Sequence, residues 1–156
     1  MFLRTAPQFC KSLCATVTGQ FVVHLSCLVW SLRMCEPFVR SDDPSLAPDG
    51  AFVPNVINTV IFLLSGVVQV NTFLANYCGH PFMESLQDNK ALVYLLAGTY
   101  FVLIVAATEA ISPLNSMLQL APAPSAAFRW QFVALLIADT VGANGFDALV
   151  GLIFGR

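Results

Sequence analysis

Three acidic side chains and one histidine lie inside long apolar stretches of this sequence, and these four residues carry most of its potential chemistry. The acids are Glu109, Asp139 and Asp147, and the histidine is His24. Ionisable groups are costly within membrane helices and suggest ion binding, proton transfer or a buried pairing. We expect Glu109 to reach interfacial water and Asp139 to face protein. We expect Asp147 to be wetted, and His24 to bond to another helix rather than relay protons.

A second set of polar side chains, here called the polar stripe, follows one face of a predicted helix. Its members recur at intervals of seven, four, three and four residues: Asn58, Ser65, Gln69, Thr72 and Asn76. This spacing places them on one helical face. The polar stripe either joins helices by hydrogen bonds or lines a wet path. We favour the first, with Gly66 allowing a neighbouring helix to approach closely.

The sequence lacks the motifs of catalysis and of metal binding. It has no Gly-x-x-x-x-Gly-Lys phosphate loop and no plausible Ser-His-Asp arrangement. Its five cysteines do not show the paired spacing of a zinc site; they are Cys10, Cys14, Cys27, Cys35 and Cys78. We therefore predict no catalytic residue and no metal site in this chain. The net charge of −2, without a basic cluster, argues against nucleic acid as a partner.

Four long apolar stretches must position the polar groups. Apolar residues make up 57% of the chain and charged residues 10%, against roughly 25% charged residues in soluble domains. A helix of about 20 apolar residues crosses the hydrocarbon core of a bilayer. The sequence therefore predicts an all-α polytopic membrane protein with a lipid bilayer as its partner. We expect its four transmembrane helices to pack as two antiparallel hairpins.

The chain divides into eight predicted segments. An N-terminal lead at 1–11 comes first. The transmembrane helices are placed at 12–32, 52–77, 91–112 and 129–154. They are separated in turn by an acidic Pro-rich loop at 33–51, a cytosolic loop at 78–90 and a lumenal loop at 113–128. Pro54 is expected in the first turn of the second helix. Asp88 or Asn89 is expected to cap the third helix, and Ser125 the fourth.

The distribution of basic residues sets the expected orientation. Four of them fall on the side of the termini: Arg4, Lys11, Lys90 and Arg156. Three fall on the other side: Arg33, Arg40 and Arg129. Because Lys and Arg favour the cytoplasmic side, we expect both termini to be cytosolic.

The second helix and the loop after it resemble a known family. The segment opens with Phe52-Val53-Pro54-Asn55, closes with Gln69-Val70-Asn71-Thr72-Phe73 and Asn76-Tyr77, and continues with Gly79-His80-Pro81-Phe82. This order resembles the C-terminal membrane region of the P-type ATPases of group five, subgroup A, which reside in the endoplasmic reticulum. Their corresponding helix ends in Gln-Val-Ser-Thr-Phe, before Asn-Tyr-x-Gly-x-Pro-Phe. Asn71 stands where the family usually has Ser, and Met83 where a basic residue is common.

Other parts of the chain resemble the same family in the same order. Gly19-Gln20-Phe21 with His24 is similar to the seventh membrane helix of the family, Ala107-Thr108-Glu109 to the end of the ninth, and Asp139 with Gly142 to the tenth. The resemblance implies five candidates for substrate-cavity or helix-packing roles: Gln69, Asn71, Asn76, Glu109 and Asp139. It also implies the remaining helices of a P-type ATPase as partners.

The resemblance implies a support role within an ATP-driven translocase of the endoplasmic-reticulum membrane. The family forms an aspartyl-phosphate intermediate and translocates misinserted transmembrane helices or, in an earlier description, cations such as manganese. ATP and magnesium are implied for the parent protein and no cofactor for this chain. The loop Asp-Lys-Thr-Gly-Thr is absent from the sequence, so we expect no ATP hydrolysis by the isolated chain.

Two other interpretations stay open. We expect a fragment of a longer pump, because residues 1–11 resemble an arbitrary start, but a naturally short chain is the alternative. Such a chain would be an independent four-helix membrane protein. It would act either as an oligomeric transporter built around Glu109 or Asp139, or as a structural partner of a larger protein.

Overall fold

The protein is all-helical over the residues described by a computed structural model, which are 6–39, 52–77 and 84–154. The described helices are α1 (Ala6–Cys35), α2 (Val56–Asn76), α3 (Lys90–Ala107), α4 (Ser112–Met117) and α5 (Ala126–Phe154), with a 3-10 turn at Glu36–Phe38. Four of them, α1, α2, α3 and α5, are long and apolar enough to cross a membrane. The predicted fold class is confirmed. Most of the acidic loop predicted at 33–51, and residues 78–83 of the next loop, lie outside the described residues.

Side-chain caps determine where three helices begin. The Asn55 side chain accepts a hydrogen bond from the Asn58 backbone N–H at 2.8 Å. Asn89 and Ser125 accept corresponding bonds at the starts of α3 and α5, both at 3.1 Å, as predicted. The placement of Pro54 in the first turn of α2 was wrong. Proline precedes the cap instead, because the asparagine side chain can satisfy a free helical N–H and proline cannot.

The helix α3 ends at Ala107, and the chain then turns sharply. Glu109 has a left-handed backbone with φ of 56°, which a continuing α-helix does not allow. The short helix α4 follows within the segment predicted as a loop, and Pro113 occupies its first turn. A second left-handed residue, Gln119, with φ of 53°, lies beyond the end of α4. The connection between α3 and α5 is therefore an ordered structure.

The tightest packing joins α1 to α5. A Cβ atom added to Gly19 would lie 1.8 Å from the Phe146 ring, and one added to Gly142 would lie 3.0 Å from Val23. These glycines let the two helix backbones approach closely. The helix α2 packs on both α1 and α5, so the core lies among these three helices, with α3 contributing from one side.

The helix α3 lies at the edge of the bundle and packs mainly on α2. A Cβ atom at Gly66 would lie 2.8 Å from the Leu103 side chain, so the expected close approach at Gly66 is made by α3. The outward surface of α3, here called the α3 outer face, consists of large and mainly apolar side chains: Val93, Tyr94, Leu95, Phe101, Val102 and Ile104. Such a surface suits contact with lipid tails.

Candidate functional site

A hydrogen-bond network centred on one buried carboxylate connects all four long helices. Asp139 on α5 is fully buried, with 0% exposure. The Nδ1–H of His24 on α1 donates to Asp139 Oδ1 at 2.8 Å, and Asn71 Nδ2 on α2 donates to Asp139 Oδ2 at 2.8 Å. The Tyr100 hydroxyl on α3 donates to Asn71 Oδ1. These four residues are here called the Asp139 network.

The network supplies hydrogen bonds to the Asp139 carboxylate, whose burial within a membrane helix would otherwise cost free energy. An aspartate at the centre of a membrane helix costs about 2.5–3.5 kcal/mol on insertion scales. Both Asp139 oxygens accept a hydrogen bond, and Asn71 is itself fully buried with its amide nitrogen also 3.3 Å from Thr140 Oγ1. Removing one partner from a buried charged group costs about 3–5 kcal/mol. The network therefore favours the arrangement in which all four helices are present together.

The geometry of the Asp139 network suits helix positioning better than a reaction. Among residues 11–39, 52–77 and 84–154, no group of His, Cys, Asp and Glu is arranged to hold a metal ion. The carboxylate is sequestered, and its two oxygens are already engaged. His24 has one further ring nitrogen, Nε2, which is buried and without a hydrogen-bond partner in the described part of the chain. The network therefore holds the helices in position, and the Nε2 atom of His24 takes no part in it.

The structure confirms part of what the sequence predicted for these ionisable groups. Asp139 faces protein and His24 bonds to another helix. Asp147, expected to be wetted, is partly buried and accepts a hydrogen bond from the fully buried Thr16 at 3.3 Å. Tyr100 was missed by the sequence reasoning. The available signal was a phenol in the middle of an apolar helix, since a buried tyrosine hydroxyl usually finds a partner.

An open groove of about 640 Å³, here called the α1–α2 groove, lies beside the network. Four members of the polar stripe line it and are exposed in the described bundle: Ser65, Gln69, Thr72 and Asn76. Within the described part of the chain only Asn76 of the polar stripe bonds to another helix, so for the other members the expectation that the stripe joins helices stays a prediction. Instead, α2 turns a face of aliphatic side chains, including Leu63, Leu64 and Val67, toward its neighbours.

The α1 side of this groove carries Gln20 and His24. Gln20 is only 3% exposed, and its Oε1 accepts a hydrogen bond from Asn76 Nδ2 at 3.1 Å. Its Nε2, like His24 Nε2, is buried without a hydrogen-bond partner among the described residues. The groove thus presents exposed polar side chains on its α2 wall, whereas the two unpaired nitrogens of the α1 wall are buried within the bundle.

A separate polar cluster lies where α3 leads into α4 and α5. Glu109 Oε2 accepts from Arg129 Nη1 at 2.9 Å, and its Oε1 accepts from the Ala123 backbone N–H. The Ala121 backbone N–H donates to Thr59 Oγ1 on α2 at 2.8 Å. The Glu109 side chain is 24% exposed. Glu109 thus keeps access to solvent, but its carboxylate fixes the connection to the start of α5.

The five candidate residues fall into three places. The structure brings Asn71 and Asp139 into direct contact. Gln69 and Asn76 line the adjacent α1–α2 groove, and Glu109 lies in the separate cluster with Arg129. Their assignment to a substrate cavity or to helix packing stays a prediction.

Four helices are long and apolar enough to cross a membrane, and a network around a buried carboxylate joins them. These features define the class of polytopic α-helical membrane proteins. No family model matches the sequence. The chain is 40% identical over 110 residues to a probable manganese-transporting ATPase of Arabidopsis thaliana, covering 70% of this chain and 9% of that protein. It is 37% identical over 126 residues to an endoplasmic reticulum transmembrane helix translocase of Schizosaccharomyces pombe, covering 80% and 10%. The translocase of Saccharomyces cerevisiae is 30% identical over 142 residues, covering 89% and 11%.

The chain is homologous to the C-terminal part of the endoplasmic-reticulum P-type ATPases of group five, subgroup A. The resemblance found in the sequence is thereby confirmed. The chain spans between 9% and 11% of the length of these relatives. The matched part is therefore a membrane region, and most of the sequence of each relative has no counterpart in this chain.

Proposed function

We propose that this chain acts as the C-terminal membrane-support region of an ATP-driven translocase in the endoplasmic-reticulum membrane. The observation that carries the proposal is the Asp139 network, in which a buried carboxylate links α1, α2 and α5, and Tyr100 attaches α3 through Asn71. Helices that move during transport need a fixed neighbour to move against. A bundle whose four helices share one hydrogen-bond network meets that need.

The homology supports the location and the parent activity. Relatives are named as endoplasmic reticulum transmembrane helix translocases and as a probable manganese-transporting ATPase. In this proposal the transported substrate is a transmembrane helix or a cation, and the remaining helices of the ATPase are the partners. ATP and magnesium serve the whole enzyme, with no residue of this chain assigned to them. Both termini of the chain face the cytosol, which the distribution of Lys and Arg supports.

A chimera tests the proposal. The C-terminal helices of the Saccharomyces cerevisiae relative are replaced by residues 12–154 of this chain, and ATP-dependent removal of a misinserted helix from membrane vesicles is measured. We expect the chimera to retain activity. The substitution Asn71→Leu in the chimera should greatly reduce activity, because it breaks the Asp139 network. The matched control Leu95→Ala on the α3 outer face should leave activity unchanged.

Two results would contradict the proposal. The first is a chimera that inserts and forms its phosphoenzyme but removes no helix and moves no cation. The second is manganese flux through vesicles that contain only the isolated chain. That second result would favour the independent transporter considered from the sequence.

A further inference from the structure

An open crevice between α1 and α5, here called the α1–α5 crevice, lies outside the Asp139 network. It encloses about 670 Å³. Trp30 and Arg33 line it from α1, and Gln131, Ala134 and Ala138 line it from α5. Ligand sites in proteins have volumes of roughly 300–1,000 Å³, so the crevice is large enough to receive part of a lipid molecule.

The crevice opens at one end of the bundle. Gly19 lies against Phe146, and Val23 lies against Gly142, so α1 and α5 run in opposite directions. The last turns of α1 are therefore beside the first turns of α5. Because both helices are of membrane-crossing length, a crevice formed by these turns lies near one surface of the membrane.

The lining of the crevice changes from polar to apolar with depth. Arg33 and Gln131 lie nearest the helix ends, and Trp30 lies one turn deeper on α1 with 65% of its surface exposed. Tryptophan rings favour the headgroup level of a bilayer. Further in, the small side chains of Ala134 and Ala138 leave space beside α5. This order from charged to apolar matches that of a phospholipid.

Arg33 carries a positive charge that no carboxylate of the described chain neutralises. Its side chain is exposed and forms no ion pair among the described residues, Glu36 three positions later included. Arg129, at the same end of the bundle, is instead paired with Glu109 at 2.9 Å. A guanidinium stays charged at all ordinary pH values and matches a phosphate group through two parallel hydrogen bonds. Arg33 is therefore available to a phosphate at the mouth of the crevice.

We propose that the α1–α5 crevice binds one anionic phospholipid, with its phosphate on Arg33 and one acyl chain along Ala134 and Ala138. The Gln131 amide adds a hydrogen-bond donor at the headgroup level. A free phosphate ion would pair with Arg33 but leave the apolar floor uncovered, whereas a phospholipid occupies both. The proposal concerns the lipid contacts of this chain, so it stands or falls independently of the support function.

The two tryptophans of the chain allow a direct test. Trp130→Phe leaves Trp30 in the crevice as the sole reporter, and Trp30→Phe leaves Trp130, which does not line the crevice. The full chain is reconstituted in vesicles of phosphatidylcholine and phosphatidylglycerol, with bromine on the acyl chains of one lipid at a time. Contact quenching by bromine gives the relative affinity of the two lipids. We expect Trp30 to report a preference of about fivefold for phosphatidylglycerol, the contribution of one basic residue near anionic lipid. Trp130 should report almost none.

Three further changes are made with Trp30 as the reporter, and circular dichroism establishes that each variant keeps its helix content. Arg33→Gln should reduce the preference to about twofold or less, and so should Ala138→Leu, which fills the floor of the crevice. The matched control Lys11→Gln removes the same charge from an exposed position at the other end of α1 and should leave the preference intact.

Four results would overturn the proposal. They are equal affinities of the two lipids at Trp30, an equal preference at Trp130, and a preference that survives Arg33→Gln or Ala138→Leu. Survival in Ala138→Leu alone would mean that anionic lipid gathers around the charge without entering the crevice. The fourth result is a Trp30 that neither brominated lipid quenches, because protein then covers the crevice.

Discussion

Replacing Asn71 by leucine should destabilise the bundle far more than the loss of one hydrogen bond in a membrane. Leucine has the same branched skeleton as asparagine but is bulkier, so the change creates no cavity and adds some crowding at this fully buried position. It removes the donor to Asp139 Oδ2 and the acceptor of the Tyr100 hydroxyl at once. Both groups stay behind in a buried environment, and Asp139 has no solvent to compensate it.

The expected magnitude follows from these unpaired groups. A hydrogen bond between membrane helices averages about 0.6 kcal/mol, whereas stripping one partner from a buried charged group costs about 3–5 kcal/mol. Asp139 keeps its second partner, His24. We therefore expect the free energy of unfolding to fall by roughly 3 kcal/mol for Asn71→Leu, near the lower end of that range.

The double variant gives the decisive comparison. Asp139→Leu removes the carboxylate, so adding it to Asn71→Leu should cost little or restore part of the stability. The coupling between the two changes should exceed about 1 kcal/mol in magnitude, above the roughly 0.5 kcal/mol expected of independent sites. Unfolding is followed by circular dichroism in mixed micelles as the denaturing detergent is increased. Simple additivity of the two single variants would refute the network as a coupled unit.

Three other predictions concern separate parts of the bundle. Gly19→Ala should lower the free energy of unfolding by about 1–3 kcal/mol, because the added Cβ meets the Phe146 ring. The control Gly98→Ala has open space around it and should be neutral or stabilising by up to about 1 kcal/mol. Equal effects of the two changes in the same unfolding assay would exclude the close approach of α1 to α5 at Gly19. Arg129→Gln should cost at most about 1 kcal/mol, because the ion pair is partly exposed, and should speed proteolysis between α3 and α5; an unchanged cleavage rate would argue against a fixed connection. Asn89→Ala should cost about 1 kcal/mol through the lost cap of α3, and faster amide exchange confined to the first turn would verify the cause.

The sequence predicted the helices and two of their caps because these features depend on local patterns. Apolar length identifies a membrane helix, and Asn89 and Ser125 precede their helices with side chains that can cap them. The position of Pro54 was misjudged because two adjacent residues can both begin a helix, and only hydrogen-bond geometry decides between them.

The arrangement of the polar groups depended on information that a single helix does not contain. Periodicity shows that Gln69 and Thr72 share a face, but not which face of α2 its neighbours cover. The pairing of Asp139 with Asn71 and His24 requires the rotation of three helices to be known. The exposure of the polar stripe similarly follows from the apolar face on the other side of α2, which packs more closely in the bundle.

The Asp139 network is completed only when the last helix of the chain has been synthesised. A ribosome completes α1, α2 and α3 before α5, so His24 and Asn71 enter the membrane before Asp139, the residue that accepts their hydrogen bonds. Until then, an unfinished chain carries polar groups whose acceptor has not yet been synthesised. Such a chain resembles the incompletely assembled membrane proteins that cellular quality control must recognise. When α5 inserts, Asp139 accepts the hydrogen bonds of His24 and Asn71, and these polar groups are then paired.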